Sequence, residues 1–111
     1  MFNADEIMKL RKSYIEIGRL VQRYGNGQYN GILTILMGQI RCIDSDSGQD
    51  EKRQYLVDSY KRIFMNPRGL SDFIIYDTDS EKRKMLNEKF YKETMCIWTI
   101  VKPYITVQPP S

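Results

Sequence analysis

The sequence predicts an all-α, single-domain bundle of about four main helices, with a short extended segment before the last helix. Four stretches repeat apolar residues every three or four positions, and only one short β-prone stretch occurs, without a second one to pair with it. A chain of 111 residues corresponds to one domain with a modest core. We therefore expect residues 1–111 to form one helical domain, frayed at about 106–111.

The first helix is predicted to begin after Asn3 and to end at Gly25-Asn26-Gly27. Asn3 can accept hydrogen bonds from the free amides of the first turn while Glu6 reaches back, a variant of the capping box. Apolar residues then recur at helical spacing and define one buried stripe: Ile7, Leu10, Tyr14, Ile17, Val21 and Tyr24. The short connector implies an antiparallel second helix.

The second helix, roughly Gln28 to Ile43, is apolar over a wide arc and should be the most buried of the four. The loop after it, residues 44–51, is acidic and should be solvated, and Ser47 is placed to cap the third helix. The third helix is predicted from about Gln49 to Met65. It should end there because Pro67 restricts the residue before it.

Residues Phe73 to Tyr76 are β-prone but short, so they are predicted to cross the core extended rather than to form a sheet. Thr78 begins a capping-box pattern, which places the fourth helix from about Asp79 to Lys102. Pro103 should stop or kink it. The only tryptophan, Trp98, lies on the apolar side of this helix and is expected in the core.

Cysteine usage and hydropathy point to a compartment. Cys42 and Cys96 stand far apart in apolar helical stretches, which suits reduced thiols in a core. Charged residues interrupt the first 20 positions, so no signal peptide is expected. The longest uncharged run is shorter than the roughly 20 apolar residues of a membrane span. We expect a cytoplasmic protein that does not contact a membrane.

The catalytic inventory is poor. The chain has no histidine, which removes the commonest general base and zinc ligand. It has no Walker loop, GxGxxG or HExxH motif. A calcium loop starting at Asp44 would need Glu at its twelfth position, where Tyr55 stands, so a solvated loop is favoured there over a metal or partner site. We predict that the protein is not an enzyme and has no cofactor, metal or small-molecule ligand.

Positive charge concentrates on the fourth helix, and the net charge of the chain is +3. The basic residues of this helix are Lys82, Arg83, Lys84, Lys89 and Lys92. Such a patch could contact phosphates. Acidic residues interrupt it, however, and mixed charge is more typical of a solvated face with pairs at i and i+4. A small basic nucleic-acid-binding protein is therefore the alternative, and nucleic acid is not the partner we expect.

Residues 69–90, GLSDFIIYDTDSEKRKMLNEKF, combine a Gly-Leu-Ser-Asp turn, a short apolar segment and a long helix that contains Asn87. This stretch resembles small helical proteins found among bacterial toxin-immunity genes, including immunity proteins of contact-dependent growth inhibition systems. The resemblance implies a protein that binds and blocks one cognate toxin, frequently a nuclease, in the cytoplasm. The net positive charge of this chain differs from that of acidic immunity proteins that mimic nucleic acid. This difference argues against inhibition by simple mimicry of the charge of a nucleic-acid substrate.

Carboxylates collect in two polar stretches, residues 44–51 and 72–79. Acidic loops would speed encounter with the basic cleft of a nuclease and fix the register, and an aromatic side chain could anchor the complex. The predicted partner-binding residues are Asp44, Asp46, Asp50, Glu51, Asp72, Tyr76, Asp77 and Asp79. Capping and complementation of helix dipoles explain several of these acids equally well.

Overall fold

Four α-helices account for most of the chain that the computed structural model describes, residues 2–66 and 69–105. They are α1 (Ala4–Tyr24), α2 (Asn30–Asp44), α3 (Gln49–Phe64) and α4 (Ser80–Ile105), with one 3₁₀ turn at Leu70–Asp72. The described residues contain no strand, and the structure is 79% helical, which confirms the all-α prediction. The predicted effect of Pro67 and the predicted fraying of residues 106–111 fall outside the described residues.

The helices close into a ring around one hydrophobic cluster. α1 packs against α2 on one side and α4 on the other, and α3 contacts both α2 and α4. Apolar side chains with no solvent exposure come from α1, α3, α4 and the segment before α4: Leu10, Ile17, Leu56, Ile63, Ile75, Ile97 and Val101. None of the described helices is long and apolar enough to cross a bilayer.

α1 begins and ends as the sequence predicts. The Asn3 side chain accepts from the N–H of Glu6 at 2.8 Å, and the Glu6 carboxylate accepts from the N–H of Asn3 at 3.0 Å. This capping box satisfies amides near the helix start that lack an intrahelical carbonyl partner. At the other end Asn26 (φ 53°) and Gly27 (φ 78°) adopt left-handed conformations. The chain therefore reverses into α2 within a few residues.

α2 is less buried than the sequence suggests. Ile32, Leu36, Gln39 and Ile43 are buried, but Met37 in the predicted apolar arc is 61% exposed. The arc is wider than the surface that α2 buries, because α2 packs mainly against α1 and α3. α1 and α3 each bury more side chains than α2, so the prediction that this helix is the most buried is wrong.

Two predicted helix caps are also wrong. α3 begins after Gly48 without a side-chain cap, because the Ser47 hydroxyl instead lies 3.0 Å from that of Ser45. α4 is capped by Asp79 rather than by Thr78. The Asp79 carboxylate accepts from the N–H groups of Glu81 at 3.0 Å and Lys82 at 3.1 Å. Both a carboxylate and a threonine hydroxyl can accept hydrogen bonds from free amides at this position. Only the carboxylate carries a negative charge that complements the helix dipole.

Pro103 does not stop α4, which continues to Ile105 with the proline inside it. Proline in a helix interior costs about 3 kcal/mol because it lacks the N–H donor and its ring clashes with the preceding turn. Tertiary contacts favour the extra turn: the Tyr104 ring packs against Phe2 at 4.7 Å between centroids, and the Arg53 guanidinium lies 6.0 Å from the Tyr104 ring. The predicted end at Lys102 therefore falls one turn too early.

Candidate functional site

Residues 73–77 run extended between the 3₁₀ turn and α4, and they bury alternate side chains. Phe73 and Ile75 face the core, whereas Ile74 is 77% exposed and Tyr76 is 72% exposed. The extended crossing is as predicted, but it is buried on one side only. An extended chain directs successive side chains to opposite sides, so a single layer of core cannot cover all of them.

Gly69 lies between α3 and the 3₁₀ turn that leads into residues 73–77, and it packs against the end of α3. Its α-carbon lies so close to the carbonyl of Ile63 that a Cβ atom would overlap the oxygen. The next residue, Leu70, is buried, and its carbonyl accepts from the N–H of Phe73 at 3.0 Å. This tight turn leaves Asp72 exposed at the start of the segment. The Gly-Leu-Ser-Asp motif is therefore a structural device that positions residues 73–77.

Asn87 of α4 holds the middle of the segment. Its side-chain oxygen accepts from the N–H of Ile75, and its amide nitrogen donates to the carbonyl of Ile75, both at 2.9 Å. The same nitrogen donates to the carbonyl of Arg83 at 2.9 Å, within α4. One side chain thus pairs both backbone groups of Ile75 as a neighbouring strand would. The outward side chains of Ile74 and Tyr76 are presented from a fixed backbone.

Asp77 and Asp79 secure the end of the segment. Asp77 accepts from the N–H of Asp79 at 2.9 Å and lies 3.7 Å from the ammonium group of Lys82. Asp79 caps α4. Both carboxylates are therefore engaged in local structure, whereas Asp72 makes no hydrogen bond or ion pair with the described residues. Of the acids predicted in this stretch, only Asp72 is available to a partner without rearrangement.

A groove of about 430 Å³ runs between the segment and the α1–α2 turn. Arg23 and Gln28 lie on the turn side, and Asp72, Ile74 and Tyr76 lie on the segment side. At the floor of the groove, the Phe73 ring packs edge to face against the rings of Tyr29 and Phe90, each at 5.2 Å between centroids. We call Asp72, Ile74 and Tyr76 the segment surface.

The acidic loop after α2 is organised differently. Asp44 is the last residue of α2, and its carboxylate accepts two hydrogen bonds from Arg11 of α1, at 2.9 and 3.0 Å. This pair lowers the pKa of Asp44. Asp50 lies 4.0 Å from the guanidinium of Arg53 within α3, and Asp46 and Glu51 are exposed. Asp44 therefore joins two helices, and the remaining acids are solvated as predicted.

The structure does not bring the two acidic stretches together. Tyr29 immediately precedes α2 and contacts Phe73, so the segment lies at the N-terminal end of that helix. The acidic loop follows its C-terminal end. α2 has 15 residues, and a rise of about 1.5 Å per residue places its two ends about 20 Å apart. The predicted partner-binding residues thus form two separate surfaces.

Groups that could perform chemistry are scattered. Among residues 2–66 and 69–105, no cluster of three or more His, Cys, Asp or Glu side chains could hold a metal. Cys42 and Cys96 are free thiols, and burial raises the pKa of Cys42, so this thiol stays protonated at neutral pH. That the protein is not an enzyme stays a prediction.

The basic residues of α4 are largely occupied by contacts within the chain. Lys89 lies 2.8 Å from Glu16 of α1, and this hydrogen bond is the main reason that the pKa of Glu16 is lowered. Lys82 pairs with Asp77 at 3.7 Å. The Arg83 guanidinium lies 5.7 Å from the centre of the Tyr76 ring. The patch is therefore tied into the fold more than its sequence suggests.

Sequence reasoning missed two residues of this region. Ile74 sits in an unbroken apolar run with Phe73 and Ile75, so nothing marks it as the member that faces water. The sequence assigns Asn87 no contact. It directly follows Leu86 and precedes Phe90 by three positions, and both of these apolar residues are partly or fully buried. A polar residue in such a position is a usable signal for a buried hydrogen-bonding role.

Comparison with known protein families, curated proteins and solved structures gives no match to this chain.

Proposed function

We propose that this chain is an immunity protein that binds one cognate bacterial toxin, a nuclease, in the cytoplasm and neutralises it by protein–protein contact. The observation that supports this proposal most directly is the segment surface. Ile74 and Tyr76 are exposed by 77% and 72%, yet their backbone is anchored by buried neighbours and by Asn87. Large apolar side chains on a rigid, exposed segment are typical of binding surfaces.

The composition of this surface suits a protein partner. Tyrosine is enriched among residues that dominate binding energy, because its ring buries a large area with few rotatable bonds. Here the Arg83 guanidinium lies 5.7 Å from the centre of the Tyr76 ring, within the distance of a cation–π contact. Asp72 adds a free carboxylate at the edge, which can pair with a basic residue of a nuclease and set the register of the complex.

A nucleic-acid-binding protein remains the rival function, and the fold lends it less support. Lys82, Lys89 and Arg83 contact Asp77, Glu16 and Tyr76, respectively. Binding of phosphates would have to displace these contacts. Titration with random DNA and RNA at low and high salt separates the two functions, since phosphate binding weakens steeply with salt. Tight, salt-sensitive binding of either nucleic acid would favour the rival.

The decisive experiment uses the gene next to the one that encodes this chain. Its product is co-expressed with this protein, and complex formation is followed by copurification and by size-exclusion chromatography. We expect a stable complex and protection of growing cells from the neighbouring toxin. A toxic neighbour that neither binds this chain nor is neutralised by it would contradict the proposed function.

Substitutions then locate the binding surface. We expect Tyr76→Ala to weaken binding by about 2 kcal/mol or more, as for an aromatic anchor. The matched control is the double variant Asp46→Ala/Glu51→Ala, which removes exposed acids about 20 Å away and should leave protection close to that of the wild type. The reverse pattern, with loss of protection only in the control, would place the interface on the acidic loop.

A further inference from the structure

The segment has one paired edge and one open edge. The N–H and C=O of Ile75 are both bonded to Asn87. In an extended chain the backbone groups of the next residues point the opposite way. The N–H and C=O groups of Ile74 and Tyr76 make no hydrogen bond with the described residues. Two donors and two acceptors therefore line the edge away from α4, in the register of a strand edge.

The surroundings of this edge favour an incoming chain. The groove of about 430 Å³ lies beside Ile74 and Tyr76, between them and the α1–α2 turn. Its walls carry charges of opposite sign, Arg23 on the turn and Asp72 on the segment, and neither makes an ion pair with the described residues. An extended polypeptide with one basic and one acidic side chain could complement both walls while its backbone meets the open edge.

We propose that the toxin adds an extended strand to the edge of residues 74–76, an inference that rests on the proposed function. Backbone N–H and C=O groups that become buried in an interface must find partners, because each unpaired one is costly. A helix keeps its own backbone bonds and cannot supply them. A strand supplies them in pairs, and its alternate side chains pack beside Ile74 and Tyr76. The segment would then be bonded on both edges, to Asn87 on one side and to the toxin strand on the other.

Amide hydrogen exchange of the isolated protein tests the premise without any partner. We expect the Ile75 amide to exchange slowly, because it is bonded to Asn87, and the amides of Ile74 and Tyr76 to exchange at least about tenfold faster. Sedimentation at low and high protein concentration accompanies the measurement. Slow exchange at both outer positions, in a monomer or in a self-associated dimer, would show that the edge is already occupied and would overturn the inference.

Proline substitution tests the bound state. Ile74→Pro removes the outward N–H, and the preceding Phe73 already has ψ 124°, within the range that a residue before proline prefers. The matched control, Ile74→Ala, shortens the side chain but keeps the N–H. With the purified product of the adjacent toxin gene as probe, Ile74→Pro should bind about tenfold more weakly than Ile74→Ala. The pair Tyr76→Pro and Tyr76→Ala repeats the comparison at the next outward N–H.

The outcomes separate this inference from the proposed function. Failure of the wild-type protein to bind the toxin overturns both. Binding by the wild type with equal affinities for the proline and alanine variants overturns strand addition alone. Exchange of the Ile75 amide in each proline variant reports whether the segment is still held by Asn87. Protection of the Ile74 and Tyr76 amides on binding, together with the proline-specific loss at either position, supports the inference.

Discussion

Asn87 is the single side chain on which the geometry of the segment depends most. Ile75 has no solvent exposure, so its backbone N–H and C=O cannot bond to water instead once the side-chain amide of Asn87 is removed. We expect Asn87→Leu, which keeps the branched shape of the side chain but removes its polar atoms, to lower the free energy of unfolding by about 1 to 3 kcal/mol. Chemical denaturation measures this loss, and exchange of the Ile75 amide should accelerate with it.

A control on the same helix is Thr99→Ala. The Thr99 hydroxyl also donates to a backbone carbonyl, that of Met95 at 2.8 Å, but this residue is exposed. Its loss should change stability by less than about 0.5 kcal/mol. Equal effects of the two substitutions would mean that Asn87 does not hold the segment.

The Tyr14 and Gln39 pair is the least satisfied polar feature of the core. Gln39 has no solvent exposure, and its two amide atoms and the Tyr14 hydroxyl have no hydrogen-bond partner among the described residues. Burial raises the pKa of Tyr14, and the nearby Gln39 amide offsets this only in part, without reaching hydrogen-bond geometry. We expect Tyr14→Phe/Gln39→Leu to match or exceed the wild-type unfolding midpoint in urea. A loss above about 2 kcal/mol would mean that the pair is better satisfied than its geometry indicates.

At the level of helices, two ion pairs join α1 to its neighbours and make stability depend on pH. Lys89 lowers the pKa of Glu16, and Arg11 lowers the pKa of Asp44. A carboxyl whose pKa is depressed by folding stabilises the protein above its unfolded pKa, and that contribution disappears as pH falls through the folded value. Stability should therefore decline below the ordinary values of 4.5 for Glu16 and 3.8 for Asp44.

Denaturation of the double variant Glu16→Gln/Asp44→Asn between pH 7 and pH 3 checks this dependence. The variant should be less stable than the wild type at neutral pH, and the difference should shrink as the medium becomes acidic. Asp46→Asn, which removes an exposed carboxylate without a partner among the described residues, serves as the control and should follow the wild-type slope. Parallel pH profiles for all three proteins would contradict the prediction.

α4 divides its apolar residues unevenly between core and surface. Ile97 has no solvent exposure, whereas Trp98 is only partly buried and stacks on Tyr60 with centroids 5.9 Å apart. We expect Ile97→Ala to cost about 2 to 5 kcal/mol through the cavity that it leaves. Trp98→Ala should cost about 2 kcal/mol, less than a fully buried tryptophan, because part of the ring is already in water. Urea denaturation ranks the two, and the opposite order would put Trp98 at the centre of the core.

For the molecule as a whole, all four helices and the segment contribute to one hydrophobic cluster. Few contacts can be lost locally without exposing that cluster, so we expect cooperative, two-state unfolding. Far-ultraviolet circular dichroism reports the helices, and fluorescence of Trp98 reports the packing of α3 on α4. The two transitions should coincide in urea. Separate midpoints would contradict the prediction that one domain spans the helices.

Local patterns in the sequence were enough to predict four helices and their approximate positions, although not the caps of α3 and α4 or the end of α4. The Asn3 and Glu6 capping box and the Gly25-Asn26-Gly27 stop involve neighbours in the chain, so their geometry follows from residue type and spacing alone. The extended crossing before α4 is also predicted by the sequence, although its geometry depends on the hydrogen bonds between Ile75 and Asn87. The Gly-Leu-Ser-Asp turn is likewise evident from residues 69–72. The reason that a glycine begins this turn is its close approach to the carbonyl of Ile63 in α3, which is a tertiary contact.

Only the tertiary structure decided which surfaces are free. Asp44 and Asp77 look like solvated acids in the sequence. In the structure, Asp44 pairs with Arg11 of another helix, and Asp77 pairs with Lys82 in the first turn of α4. Tertiary contacts carry α4 past Pro103. Ile74 is exposed and Ile75 buried although both are isoleucine. The reason is physical: side-chain exposure and ion pairing depend on which elements pack together, and residue spacing fixes the face of an element without fixing what covers it.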